Sequence, residues 1–200
     1  MVKRQRKGSR RAYPMTLILC QGEVTEPEYF RDMQRRWRSK GFTVRPCPES
    51  PRKMVDKAGV TARRDDYDVV WIVLDKDNSS DDELISAATR CAEMSGVGKG
   101  KRRFHLVVTN VCFEAWLVAH VRKVPATMDS PSALQKEALS HHLVEGKKAK
   151  NIHPDFPYDR WEHAVENIEE VAVGEVGRHP STSVPALLRA MEAARGSQPG

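Results

Sequence analysis

At 200 residues with 40% hydrophobic side chains, the chain is the size of one ordinary domain with enough apolar material for a real core. Its apolar runs, of which Val69 to Leu74 is the most evident, are far shorter than the roughly 20 residues a membrane-crossing helix needs, and no secretory segment follows the basic N-terminus, so a cytoplasmic protein with no membrane partner is expected. The net charge of +6 resides in Lys3, Arg4, Arg6, Lys7, Arg10 and Arg11, and beyond residue 12 the 27 basic side chains balance the 27 acidic ones, which excludes a uniformly basic nucleic-acid binder and leaves residues 1–12 as a flexible tail, either solubilising or phosphate-gripping.

Tyr13 to Cys20 is a β-rich apolar run closed by Gly22. Thr25 and Glu28 have the spacing of a capping box, which opens a helix. That helix carries Tyr29, Phe30, Met33 and Trp37 at helical spacing and stops near Gly41, after which Phe42 to Cys47 alternates as a short strand. Ser50 caps a second helix, with Pro51 at its first position and Met54, Val55 and Ala58 on one face. Asp68 to Leu74 is the strongest strand, a continuous apolar run of the kind buried on both sheet faces. It stops abruptly in Asp75-Lys-Asp-Asn-Ser79. A helix over 82–95 turns Leu84, Ile85, Ala88 and Cys91 inward, and a glycine and lysine loop, 96–103, leads to a strand over 104–108.

Strands alternating with amphipathic helices predict a mostly parallel four-stranded sheet with helices on both faces, an α/β core over residues 13–122. From Cys112 onward only helices are evident, over 112–121, 130–142, 158–173 and 183–195, so residues 123–200 read as a helical extension packed on that core. The stretch 144–157, with three lysines, two prolines and few apolar residues, reads as a mobile loop. Cys20, Cys47, Cys91 and Cys112 are widely spaced with no Cys-x-x-Cys pair, which predicts reduced core thiols rather than disulfides or a zinc site.

Ligands of open parallel sheets sit outside the carboxyl ends of the strands, where βα loops and helix N-termini converge. Glu23 and Asp75-x-Asp77 both lie there. Like charges brought together at such a place either share a proton or bind a cation, and oxygen-only ligation selects magnesium or manganese. A metal so held generates hydroxide and stabilises charge on an attacked phosphorus. Asp-x-Asp alone is a weak motif, since acids after strands commonly cap helices; its pairing with the Gly-Glu turn after the first strand is what gives it weight. Asn110 and Glu114 follow the fourth strand, where they either orient a metal water or base, or cap a helix and favour its dipole. Trp116 and His120 share one helix face, which favours a packing role for His120 over a general acid. Ser181 and Thr182 either cap the last helix or contact phosphate. His141-His142 has no visible third ligand.

Four segments together resemble the RloB-like proteins: Cys-Gln-Gly-Glu-Val-Thr-Glu-Pro-Glu-Tyr-Phe (20–30), Val-Trp-Ile-Val-Leu-Asp-Lys-Asp (70–77), Thr-Asn-Val-Cys-Phe-Glu-Ala-Trp-Leu-Val-Ala-His (109–120) and His-Pro-Ser-Thr-Ser-Val (179–184). They follow in order across nearly the whole chain. The resemblance implies a TOPRIM-type fold, a Rossmann-like core in which a Glu after the first strand and an Asp-x-Asp after the third bind magnesium. Carried over, these are Glu23, Asp75 and Asp77. Glu114 joins them as a catalytic candidate, with Glu26, Asn110, His120, Ser181 and Thr182 as substrate or supporting residues. The family turn usually reads Cys-Glu-Gly-Glu, and Gln21 here replaces its first Glu. The resemblance further implies a Mg²⁺- or Mn²⁺-dependent nuclease of anti-phage defence, acting on RNA or DNA with an ABC- or AAA-type ATPase partner.

Two other enzyme classes use paired acids. Haloacid-dehalogenase-like phosphatases and phosphorylated receiver domains place theirs after the first strand, whereas Asp75 and Asp77 follow the third. The stronger rival is a non-catalytic regulatory subunit that binds metal and nucleic acid while the ATPase works.

Overall fold

The computed structural model describes residues 13–77, 79–97, 101–146 and 149–195. The basic tail lies outside them, as do Asn78 and part of the glycine and lysine loop. Four strands form the centre of the sheet: β1 (Thr16–Cys20), β2 (Phe42–Pro46), β3 (Val69–Asp75) and β4 (Arg103–Asn110). They lie in the order β2-β1-β3-β4, all parallel, with Ile18 opposite Val44 and Trp71 and with Asp75 opposite Thr109.

Successive strand residues point to opposite faces, and both faces are apolar, so two cores form. Ile18, Cys20, Trp71, Val73 and Val107 face α1 (Thr25–Trp37), α4 (Phe113–Ala119), α5 (Pro131–Ser140), α6 (Trp161–Asn167) and α7 (Val184–Ala193). Leu17, Leu19, Val70, Ile72, Leu74, Leu106 and Val108 face α2 (Pro51–Arg64) and α3 (Asp81–Met94). β1 is thus followed by a helix on one face and its neighbour β3 by a helix on the other. The loops leaving their carboxyl ends part in opposite directions and open a crevice between them.

The sheet has six strands rather than the predicted four. Beyond β4 it continues with β8 (Ser181–Thr182), antiparallel to β4, and β7 (Glu169–Glu170), parallel to β8. Residues 123–195 are therefore not purely helical. The expected helix over 158–173 is a 3₁₀ turn, Tyr158–Arg160, then α6 and the strand β7. The expected mobile loop 144–157 contains a hairpin, β5 (Val144–Glu145) against β6 (Asn151–Ile152). Strands of two residues carry no readable alternation, which is why the periodicity of the sequence passes over them.

Two helix readings also change. In α3 the buried residues are Leu84, Ala87 and Cys91, while Ile85 is 53% exposed. Ser80 and Glu83 form the reciprocal capping box there, each side chain bonding the other's backbone. Thr25 and Glu28 do not cap α1, whose N-cap is Val24. Both instead reach the distant hairpin: the Thr25 hydroxyl donates to the Lys150 carbonyl at 2.7 Å, and the Ile152 N–H donates to the Glu28 carboxylate at 2.9 Å.

The four cysteines are free and buried, as the spacing predicts. Among the described residues no helix is long and apolar enough to cross a membrane.

Candidate functional site

The crevice at the carboxyl ends of β1 and β3 is a cleft of about 410 Å³. Gln21 to Glu26, Asp75, Asp77, Cys112, Glu114, the α5 residues Pro131, Ser132 and Gln135, and Lys150 line it. Five of the lining side chains are carboxylates: Glu23, Glu26, Asp75, Asp77 and Glu114.

Asp75 ends β3 and forms the floor. The ladder holds this end of the chain taut beyond the strand, since the Lys76 N–H donates to the Thr109 carbonyl and the Asp77 N–H to the Val111 carbonyl, each at 3.0 Å. The Gln21 side chain ties the β1 turn to the same point, accepting from the Asp75 N–H at 3.2 Å and donating to the Glu49 carbonyl at 3.2 Å. Asp75 Oδ1 is shielded from solvent and has no hydrogen-bond partner. Burial first, then the charges of Glu26, Glu114 and Asp77, push its pKa well above the usual carboxylate range, against a hydrogen bond from the Phe113 backbone.

Glu26, in the first turn of α1, is 4% exposed. Its carboxylate folds back over the β1 turn and accepts from the Gly22 N–H at 2.9 Å. A Cβ at position 22 would meet Glu26 Oε2 at 1.8 Å, so the glycine is what allows the carboxylate to lie there. Burial raises the Glu26 pKa above its ordinary value; hydrogen bonds from its own and the Gly22 backbone oppose this, and the charges of Glu114 and Asp77 add to it. Glu23 and Asp77 lie on the exposed rim of the cleft, and Glu114, in the first turn of α4, stands between rim and floor.

Among the described residues no group of three or more His, Cys, Asp or Glu side chains stands already drawn together around a metal position. The donor set nevertheless suits a hard divalent cation. It is all oxygen, its two inner carboxylates, buried Glu26 and half-buried Asp75, feel each other's charge, and the shielded Asp75 Oδ1 has no partner. Burial, reinforced by neighbouring acids, pushes the thiols of Cys112 in the cleft lining and of Cys20 in β1 well above the usual thiol range, which disfavours the thiolate.

Other predicted residues stand elsewhere. His120 is completely buried. Its Nδ1–H donates to the Trp116 carbonyl at 3.0 Å, which leaves Nε2 to accept from the Tyr29 hydroxyl at 3.2 Å. Burial lowers its pKa to about 4, fitting a neutral packing residue. Asn110 neither caps α4 nor lines the cleft; its amide donates to the Gly177 carbonyl at 2.7 Å and the His179 carbonyl at 3.3 Å. Ser181 and Thr182 are buried in β8, where the Thr182 hydroxyl pairs with that of Thr109 at 3.1 Å and accepts from the Val184 N–H at 3.2 Å. Both are buried sheet residues outside the cleft lining.

Sequence reading missed Lys150, Ser132 and Gln135 as cleft residues. No local pattern announces them, because the hairpin and α5 reach the cleft only through tertiary packing. No curated protein and no solved structure matches the chain. A family model for RloB-like proteins matches residues 16–191, from the first residue of β1 into α7, and the chain belongs to that family.

Proposed function

We propose that the cleft binds a divalent cation and hydrolyses a phosphodiester bond of nucleic acid, a TOPRIM-type nuclease reaction. The observation that carries this reading is the partnerless, shielded Asp75 Oδ1 at the floor of a cleft lined by five carboxylates. Holding Asp75 and Glu26 among like charges costs free energy, and groups arranged at such a cost are held for chemistry. Asp75 and Glu26 would hold the metal, with Glu23 and Asp77 as further ligands from the rim. A bound Mg²⁺ or Mn²⁺ supplies a lowered pKa for water and charge neutralisation at phosphorus. Glu114 orients the attacking water and takes its proton on a carboxylate oxygen.

The test is incubation of the full chain with tRNA, single-stranded DNA and double-stranded DNA, with Mg²⁺, Mn²⁺ or chelator. Wild-type protein cleaves one of these only with metal. Asp75→Asn and Glu26→Gln lose at least about 100-fold in cleavage, and Asp75→Asn melts higher than wild type in chelator because a buried like charge is gone. Cleavage that survives both substitutions sinks the mechanism.

A second reading is a subunit that binds metal and nucleic acid without cutting. Binding without cleavage, even when the ABC- or AAA-type ATPase expected from the family setting is added, favours that reading.

A further inference from the structure

The cleft has a charge problem as a phosphate site. Five carboxylates line it, and among the described lining residues Lys150 is the one cation. A polyanion approaching this face meets net repulsion unless positive charge is brought over the acids. Lys150 sits immediately before β6, in the turn of the β5–β6 hairpin, and no described residue pairs with its ammonium.

The hairpin is fastened to the element that carries Glu26. Thr25, next to Glu26, holds the Lys150 carbonyl; Glu28, two residues beyond Glu26, holds the Ile152 N–H. These bonds join residues 125 and 124 positions apart. They hold the chain at the Lys150 carbonyl and just beyond it at Ile152, so this backbone is fixed relative to the carboxylates while the exposed Lys150 side chain borders the cleft. Two residues with helix-capping chemistry have been diverted from capping to this purpose, leaving α1 without a side-chain cap.

We infer that the β5–β6 hairpin is a strap that holds Lys150 over the carboxylates to grip a backbone phosphate of the nucleic acid. The inference rests on the reading of the cleft as a phosphodiester site and names the residue that receives the substrate there. A lysine in this role acts as a point charge on a flexible stem, contributing ground-state binding rather than chemistry.

The test compares wild type with Lys150→Met, Lys150→Arg and Thr25→Val. Fluorescence anisotropy of labelled tRNA, single-stranded DNA and double-stranded DNA is measured across a salt series in chelator, beside cleavage kinetics with Mg²⁺. Lys150→Met weakens binding of the preferred nucleic acid about tenfold, lowers the slope of log affinity against log salt by about 0.7 to 0.9, and raises KM with little change in kcat. Lys150→Arg keeps the slope. Thr25→Val weakens binding with the charge still present, the result expected of a positioning bond. Wild-type affinity and slope in Lys150→Met overturn the strap. If Asp75→Asn cleaves like wild type while Lys150→Met still loses affinity and slope, the cleavage mechanism has failed and the strap stands. Failure of the wild-type chain to bind any of the three overturns the strap.

Discussion

A glycine of the β1 turn decides where an acid of the next helix lies. Gly22 is required not for a left-handed backbone but because the Glu26 carboxylate occupies the space of its missing side chain. Gly22→Ala is therefore expected to push that carboxylate off its bond to the Gly22 N–H and cost on the order of 100-fold in metal-dependent cleavage, with the circular dichroism spectrum unchanged. Cleavage within a few-fold of wild type contradicts it. The same pair shows how far residue chemistry was legible. The Gly-Glu turn and Asp-x-Asp fall in one cleft, and its five carboxylates are all among the candidates the sequence offers. What the sequence could not say is that Glu23 stands on the rim and Glu26 inside. That depends on the direction in which α1 leaves the turn. Thr25 and Glu28 misled for a related reason: spacing reveals that two side chains could bond each other's backbone, but not that a segment over 120 positions away competes for them.

Elements read well where their period is long and badly where it is short. All four parallel strands and the three helices between them fall within about three residues of expectation, because continuous apolar runs and one-sided stripes of 13 or 14 residues leave little ambiguity. β8 is the opposite case. Its two residues are held by bonds the sequence does not advertise: Thr182 to Thr109 across the sheet, and the Ser183 hydroxyl accepting from the Val108 N–H at 3.1 Å. Thr182→Val keeps the shape while leaving the Thr109 hydroxyl and the Val184 N–H without their partner. It should cost about 1 to 2 kcal/mol in urea unfolding while cleavage at permissive temperature stays at the wild-type level. A large loss of cleavage in a folded Thr182→Val protein would instead return this residue to the substrate.

At the scale of the whole molecule, stability is tied to acid through one histidine. His120 has Tyr29, Trp116 and Phe156 packed around it, with Asp159 and His163 the titratable groups that act on it. Its pKa falls from 6.5 to about 4 on folding, so the unfolded chain binds the proton more readily. The stability this represents is complete above pH 6.5 and is lost as pH falls towards 4, up to about 3 kcal/mol. His120→Gln lacks this titration, and its unfolding free energy should fall less than that of wild type between pH 7 and pH 4.5. Parallel profiles for the two proteins would remove His120 as the cause.

The position of β8 in the sheet bears on how the chain is made. Every carboxylate of the cleft lies within the first 114 residues, yet the neighbour that covers the outer edge of β4 arrives only with residues 181 and 182. A ribosome therefore delivers the acids long before the frame that fixes them, and Lys150 in between. The nascent chain carries these acids before the sheet beside β4 is complete, and the cleft gains its final frame only once residues 181 and 182 have emerged.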